Sequence, residues 1–97
     1  MSSKELTLKG EEALKVARAL SSKTGFQILQ LLSKDKLDIS TIARLLKLSE
    51  PHISEAIKAF EDLRLINISY APGKRGIKKM CELAVEKVTI VLRAPMS

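Results

Sequence analysis

Four cationic side chains fall within six residues of this sequence, in the stretch APGKRGIKK at residues 71–79. They are Lys74, Arg75, Lys78 and Lys79, and the stretch contains no acid. Ammonium and guanidinium groups bind anions, Arg through a bidentate fork and Lys as a point charge. Because the stretch also holds two glycines and a proline, it is typical of a loop that buries no core. Its cations are therefore presented to a partner.

The charge of the chain is concentrated at this end. Residues 1–73 carry 11 Lys and Arg against 9 Asp and Glu, whereas residues 74–97 carry 6 against 2. A localised basic patch favours a polyanion such as nucleic acid, since neutralising phosphates releases counterions. A solvated lysine face with no partner is the alternative.

Catalytic and metal chemistry find little support in the sequence. His52 and Ser54 lie two apart on a predicted helix and point in different directions, so they cannot form a nucleophile–base pair. With one His and one Cys, no tetrahedral site of Cys and His ligands forms within a protomer. Cys81 is predicted to be a small core residue. We predict a protein that is not an enzyme and has no cofactor and no metal.

Length and composition predict a single domain, residues 1–97, with an aliphatic core. No apolar run approaches the roughly 20 residues that span a bilayer, and the N-terminus lacks the apolar segment of a signal peptide. The single cysteine excludes an internal disulfide framework. We therefore expect a cytoplasmic protein with no membrane contact.

Apolar spacing predicts two helices in the first third of the chain, after a loosely held arm at residues 1–8. The first spans residues 9–20 with an inward stripe of Ala13, Leu14, Ala17 and Leu20. The second opens at a capping box formed by Thr24 and Gln27. It is apolar on more than one side, which is typical of a central helix.

The next segment predicts a helix-turn-helix over residues 40–64. Leu37 and Ile39 favour a very short strand. Ser40 can cap a third helix that ends at Leu46, and Ser49 can cap a fourth with Pro51 in its first turn. Two helices joined by so short a turn are typical of this motif. The fourth helix has an inward stripe of Ile53, Ala56, Ile57, Phe60 and Leu63.

The remaining residues predict strands, so the fold class is α+β. Ile66, Ile68 and Tyr70 alternate with polar residues. Residues 77–88 fit either a helix or a strand, and the strand is favoured because residues 65–70 need a backbone partner. Residues 88–92, VTIVL, are apolar on both faces and predict a covered C-terminal strand.

The segment ALSSKTGFQILQLLSKDKLDISTIARLLKLSEPHISEAIKAFEDLRLI resembles the arsenic-repressor (ArsR-like) family of transcription regulators. Its pattern is echoed by Leu48, Ser49, Pro51, Ile53, Ser54, Ile57, Lys58 and Phe60. GKRGIKK resembles the wing of archaeal members. The resemblance covers roughly residues 13–83. It implies a winged helix-turn-helix that binds double-stranded DNA as a homodimer, with a recognition helix at 49–64 and a wing at 65–84.

The resemblance also implies which residues contact DNA. Base readers would lie on the exposed side of the fourth helix: His52, Ser54, Glu55 and Lys58. Phosphate contacts would come from the four cations of residues 71–79. The predicted set is completed by Ser40, Thr41, Lys47, Ser49 and Pro51. The helix itself is acidic, with four acids and two cations between residues 49 and 64. The wing would therefore supply the phosphate contacts that the helix cannot.

The sequence departs from the family at two places. Metal-sensing members carry a cysteine pair in the third helix, and STIARLLK here has none. Lys47 stands where related sequences carry Gly, which predicts a positive φ at this residue. The family usually dimerises through N- and C-terminal helices. Here Val16 and residues 88–92 are the predicted dimer contacts, because both leave apolar side chains uncovered.

Two other functions compete with a DNA-binding regulator. GKRG matches the G-x-x-G loop of KH domains, which bind single-stranded nucleic acid but need helices on both sides of the loop. The acidic fourth helix favours a second alternative, a winged helix that serves as a protein-interaction module of a transcription assembly.

Overall fold

The computed structural model of the protein describes residues 4–93. These residues form four helices and five strands. In chain order they are β1 (Glu5–Leu8), α1 (Gly10–Leu20), α2 (Lys23–Leu32), β2 (Leu37–Asp38), α3 (Ile39–Leu46), α4 (Glu50–Asp62), β3 (Ile66–Gly73), β4 (Gly76–Leu83) and β5 (Lys87–Ile90). The predicted α+β class and winged helix-turn-helix are confirmed.

Helix α1 buries a different face from the predicted one. Ala13 and Val16 are buried, while Leu14 is 44% exposed. Both stripes fit a period of 3.6 residues, so periodicity alone cannot choose between them. The packing against the core selects the stripe through Val16. Val16, only 1% exposed, is therefore not available as the dimer contact that the sequence predicted.

Helix α2 begins two residues earlier than the capping box of Thr24 and Gln27 predicts. Ser22 is the N-cap, and its hydroxyl oxygen accepts a hydrogen bond from the Gly25 N–H at 3.1 Å. The helix is central, as predicted, since Ile28 is fully buried. Here the cap that satisfies a free N–H lies two positions before the predicted one.

Strands β2, β4 and β3 form an antiparallel sheet in that order. The ambiguous stretch is thus a strand through Leu83, and β4 is the central strand of this sheet. The hairpin of β3 and β4, called the wing below, pairs from Ile66↔Leu83 to Gly73↔Gly76. Only its base is buried: Cys81 is 0% exposed, whereas Ile77 near the tip is 78% exposed. The outer half of the wing therefore projects from the core.

Strands β1 and β5 form a separate parallel pair, from Glu5↔Lys87 to Leu8↔Ile90. The predicted arm at residues 1–8 is therefore a strand from Glu5 onward, and residues 1–3 lie outside the described residues. Leu8 is buried in the core, which holds the strand in place. The predicted strand at 88–92 is shorter, and Leu92 is 92% exposed. Residues 4–93 do not cover it on both faces.

The core lies where α2, α4 and the base of the wing meet. Its largest fully buried side chains are Phe60, Ile28, Ile42, Ile53, Ile57, Leu65, Ile66, Val16 and Cys81. The predicted stripe of α4 is buried at Ile53, Ile57 and Phe60, while Ala56 and Leu63 are half-buried. Among residues 4–93, no helix is long and apolar enough to cross a membrane.

Candidate nucleic-acid interface

An open groove of about 680 Å³ separates the wing from the helix-turn-helix. It is lined by the end of β2, the exposed side of α3, the first turns of α4 and the tip of the wing. The lining residues are Asp38, Ile39, Ser40, Thr41, Arg44, Glu50, Pro51, Ser54, Lys74, Arg75, Gly76, Ile77, Lys78 and Lys79. All four cations of residues 71–79 thus share one concave surface with the start of α4.

The two-residue turn of the wing presents Lys74 and Arg75 at its tip. Gly73 and Gly76 form the last pair of the hairpin, and both tip side chains are exposed. Gly76 has a φ of +114°, a conformation that side-chain-bearing residues rarely adopt. The glycine therefore fixes the turn that presents the two cations. The loop is flanked by strands on both sides, whereas a KH domain needs a helix on each side of its loop. This argues against a KH domain.

The N-terminus of α3 is capped by Asp38, not by Ser40 as predicted. The Asp38 carboxylate accepts hydrogen bonds from the Thr41 hydroxyl at 2.5 Å and from the Thr41 N–H at 3.4 Å. The Thr41 hydroxyl bond holds the pKa of Asp38 below its ordinary value. Both donors of Thr41 are thereby used within the chain. Ser40, exposed in the first turn, is left at the edge of the groove.

Helix α4 begins as predicted. Ser49 is the N-cap, and its hydroxyl oxygen accepts a hydrogen bond from the His52 N–H at 3.3 Å. Pro51 occupies the first turn. An N-cap that accepts a backbone N–H stabilises a helix start by about 1 kcal/mol. This contact fixes the first turn of α4 at the side of the groove.

The predicted base readers of α4 do not share one surface. Ser54 is half-buried and lines the groove beside the wing. His52 and Glu55 line a separate shallow depression, together with Ala56 and Ala59. Lys58 is exposed one turn further along. Pro51 borders both surfaces, so α4 presents two flanks that meet at its first turn.

Lys47 ends α3 in the left-handed conformation, with φ +59° and ψ +44°. The positive φ that the sequence predicted is confirmed. The Leu48 N–H donates to the Ala43 carbonyl at 3.0 Å, which closes a Schellman-type turn. Arg64 repeats this arrangement after α4, with φ +66° and a 2.9 Å bond from the Leu65 N–H to the Phe60 carbonyl. Both helices of the motif thus end on a cationic residue where Gly is common.

Arg44 is a groove residue that the sequence analysis missed. It lies on α3, opposite the buried Ile42, and its side chain is exposed. The inward stripe of α3 carries the signal, since it leaves residue 44 on the outer side of the helix. With Arg44 the groove holds five cations against two acids, Asp38 and Glu50. This surface is basic, although α4 itself is acidic.

The one cysteine lies away from the groove. Cys81 is fully buried at the base of the wing, and this burial raises its thiol pKa to about 11. A thiol with that pKa remains protonated near neutral pH and is a poor nucleophile or metal ligand. Within residues 4–93, no three His, Cys, Asp or Glu side chains come together in a way that holds a metal ion.

Comparison with known proteins agrees with this geometry. Residues 22–67 match the profile of the family described as "Bacterial regulatory protein, arsR family". This part of the chain is therefore similar to an ArsR-family helix-turn-helix domain. The matched segment runs from the N-cap of α2 into β3, so it includes the whole helix-turn-helix. This family consists of regulatory proteins, which confirms the prediction of a regulator rather than an enzyme. No curated protein sequence gives a significant match.

Solved structures share the fold of this chain at low sequence identity. HlyU from Vibrio cholerae has a TM-score of 0.64 at 19% identity, covering 77% of both chains. NolR from Sinorhizobium fredii has a TM-score of 0.65 at 17% identity, covering 78% of this chain and 72% of its own. The homodimeric winged helix-turn-helix DNA-binding domain of Mb0332 from Mycobacterium bovis has a TM-score of 0.67 at 21% identity. That match covers 78% of this chain and 67% of the Mb0332 fragment.

Proposed function

We propose that this protein is a transcription regulator that binds double-stranded DNA as a homodimer. Helix α4 enters the major groove, and the wing contacts the sugar–phosphate backbone or the minor groove. The observation that carries this proposal is the groove, because it joins the wing cations to the first turn of α4 in one surface. A duplex seated there meets base-reading and phosphate-binding side chains at the same time.

The two kinds of contact come from different elements. Lys74, Arg75, Lys78 and Lys79 supply phosphate contacts, helped by Arg44 and by the edge of α3 at Ser40. Their net excess of charge in the groove compensates for the acids of α4. Lys47, exposed after α3, can reach backbone phosphates beyond the groove. Counterion release from these contacts supplies most of the affinity.

Base reading is assigned to α4 on both of its flanks. Ser54 reads from the groove side, while His52 and Glu55 read from the opposite depression. Glu55 can accept a hydrogen bond from a cytosine N4 amine, and Lys58 can reach guanine acceptors or a phosphate. Thr41 is a helix-cap residue in this scheme, because both of its donors are bound to Asp38.

The dimer is proposed from the apolar side chains that the protomer leaves exposed. With Val16 buried, the exposed apolar side chains on the first helix and the last strand are Leu14 on α1 and Ile90, Val91 and Leu92 at the end of the described chain. A second copy of the chain can bury these apolar side chains against its own. The DNA-binding domain of Mb0332 is homodimeric, which supports a dimer. A two-fold dimer sets its two α4 helices on half-sites about 34 Å apart.

Selection from a random duplex library, followed by mobility shifts across a salt series, tests the function. We expect an inverted repeat, and an affinity that falls by about 0.9 log units per phosphate contact for each log unit of salt. The proposal would be contradicted if the selection enriched no sequence and if retention of the duplex did not depend on salt.

A DNA-binding regulator acts where DNA is, so we propose a cytoplasmic location for this protein. We also propose an archaeal origin, which is supported by the wing sequence GKRGIKK.

A protein-interaction module is the second candidate, and the depression on α4 favours it. One of the four acids between residues 49 and 64, Glu55, lines this depression, and an acid beside alanines suits a basic partner. The same mobility shifts separate the two functions. A module of this kind retains no duplex at 0.15 M salt, whereas a regulator does.

A further inference from the structure

Ile77 is the most exposed large apolar side chain of the wing, at 78%. It follows Gly76 directly after the two-residue turn and pairs with Pro72 across the hairpin. Its position is unusual because Lys74, Arg75, Lys78 and Lys79 surround it in sequence, and all of them line the same groove. An isoleucine in a cationic patch contributes nothing to counterion release.

The hairpin register shows which residues of β4 share a face with Ile77. Side chains alternate along a strand, so Ile77, Lys79 and Cys81 lie on one face of β4. Cys81 on this face is fully buried against the helices. Near the tip, Ile77, Lys78 and Lys79 all line the groove, so the outer part of β4 borders it with both of its faces. Ile77 is therefore an exposed part of the surface on which the proposed function places the duplex.

We propose that Ile77 is an apolar wedge that enters the minor groove and partly unstacks a base step. This inference rests on the proposed DNA binding and names a determinant of its specificity. Isoleucine is one of the side chains that wedge between base steps in minor-groove binding. The groove around Ile77 holds five cations, so its partner should be anionic. This favours a DNA duplex over an apolar protein surface as the partner of Ile77.

The wedge predicts sequence preference without hydrogen bonds to bases. Pyrimidine–purine steps such as TA and CA are the easiest to unstack and kink. A protein that inserts Ile77 therefore prefers such a step under the wing, at a fixed distance from the bases that α4 reads. The duplex bends toward the major groove, and this brings more phosphates to Lys78 and Lys79.

The test uses the duplex obtained by selection, with 2-aminopurine placed in turn at each base step next to the bases that α4 reads. Bending is measured separately by energy transfer between dyes at the two ends of the same duplex. We expect binding to raise 2-aminopurine fluorescence at one step and to bend the duplex. Ile77→Thr keeps a β-branched strand residue but removes the apolar tip, so the hairpin is retained. It is expected to abolish the fluorescence rise and weaken binding about 5- to 30-fold, with an unchanged salt slope.

Three further variants separate a wedge from general effects. Ile77→Leu should keep the fluorescence rise. Ile77→Lys should lose it while steepening the salt slope by about 0.9. Tyr70→Ala is the matched control, because Tyr70 is 69% exposed on the same wing but does not line the groove, and it should bind as the parent protein does.

Two results would overturn the inference, and they are distinguishable from failure of the proposed function. If the parent protein binds the duplex but no step unstacks, Ile77 is not a wedge although DNA binding stands. The same holds if Ile77→Thr binds and unstacks normally. If the parent protein binds no duplex, the proposed function itself fails, and Ile77 is then free to contact a protein partner.

Discussion

The wing and helix α4 border the same groove with opposite charge. The four cations of residues 71–79 have no acid among them, whereas residues 49–64 carry four acids and two cations. Under the proposed function, an acidic α4 needs the cations of the wing to hold DNA, whereas hydrogen bonds to base edges come from α4. The proposal thus assigns most of the affinity to the wing and the hydrogen-bond reading of bases to α4. Changes to one should leave the contribution of the other intact.

Removal of the wing-tip charges should have the largest effect. Lys74→Ala combined with Arg75→Ala should weaken binding to every duplex by roughly 10- to 50-fold at 0.15 M salt and flatten the salt slope by about 1–2 units. Mobility shifts across a salt series measure both. Lys34→Ala combined with Lys36→Ala removes the same charge from exposed positions outside the groove and should change little. If both double variants lost the same affinity for DNA, the wing cations would contribute no more to binding than other surface lysines.

Neutralising the acid of α4 that lines the groove should act in the opposite direction. Glu50 lines the groove, so Glu50→Gln should tighten binding by about 3- to 10-fold through reduced repulsion of phosphates. Glu55→Gln removes the same charge from the other flank of α4. It should instead change the preferred base at one position of the site. If both variants only tightened binding, Glu55 would not be a base reader.

The N-cap of α3 should show a pH-dependent contribution. The pKa of Asp38 is lowered in the folded protein, so its carboxylate stabilises the fold above its ordinary pKa near 3.8, and this is lost as pH falls through the folded value. Asp38→Ala should cost about 1 kcal/mol of unfolding free energy near pH 7. The difference from the parent should shrink below pH 4. Chemical denaturation at several pH values measures the difference in unfolding free energy between the parent protein and the variant. A difference that stayed constant down to pH 2 would contradict this role of Asp38.

The left-handed turns that position α4 should give the smallest effect. Lys47→Gly should leave the melting temperature unchanged or raise the unfolding free energy by up to about 1 kcal/mol, since glycine adopts this φ without strain. Lys15→Gly, in the middle of α1, is the control and should cost about 1 kcal/mol. A lower melting temperature for Lys47→Gly would mean that its side chain makes contacts that outweigh the strain.

The features that the sequence predicted are those set by neighbouring residues. The cap at Ser49, the positive φ of Lys47 and the hairpin around GKRG each depend on a few adjacent positions. The cap of α3 was misplaced by two residues because Asp38 and Ser40 are both good N-caps. Only the observed hydrogen bonds of Thr41 decide between them.

The features that the sequence did not predict depend on distant contacts. The rotation of α1 that buries Val16 is set by what packs against the helix, not by its own period. The pairing of β1 with β5 joins strands from opposite ends of the described chain. The division of α4 into two flanks, with Ser54 apart from His52 and Glu55, depends on where the wing projects. Helical spacing could not predict this, because it describes one element at a time.

The pairing of β1 with β5 also bears on the order of folding. Glu5 and Lys87 lie side by side although 82 positions separate them. Closing so long a loop loses much chain entropy before a backbone hydrogen bond is gained, and two strands of four residues gain few. We expect these strands to join last and to open first. Their amide protons should exchange with solvent well before those at the base of the hairpin, where Cys81 and Ile66 are sealed in the core.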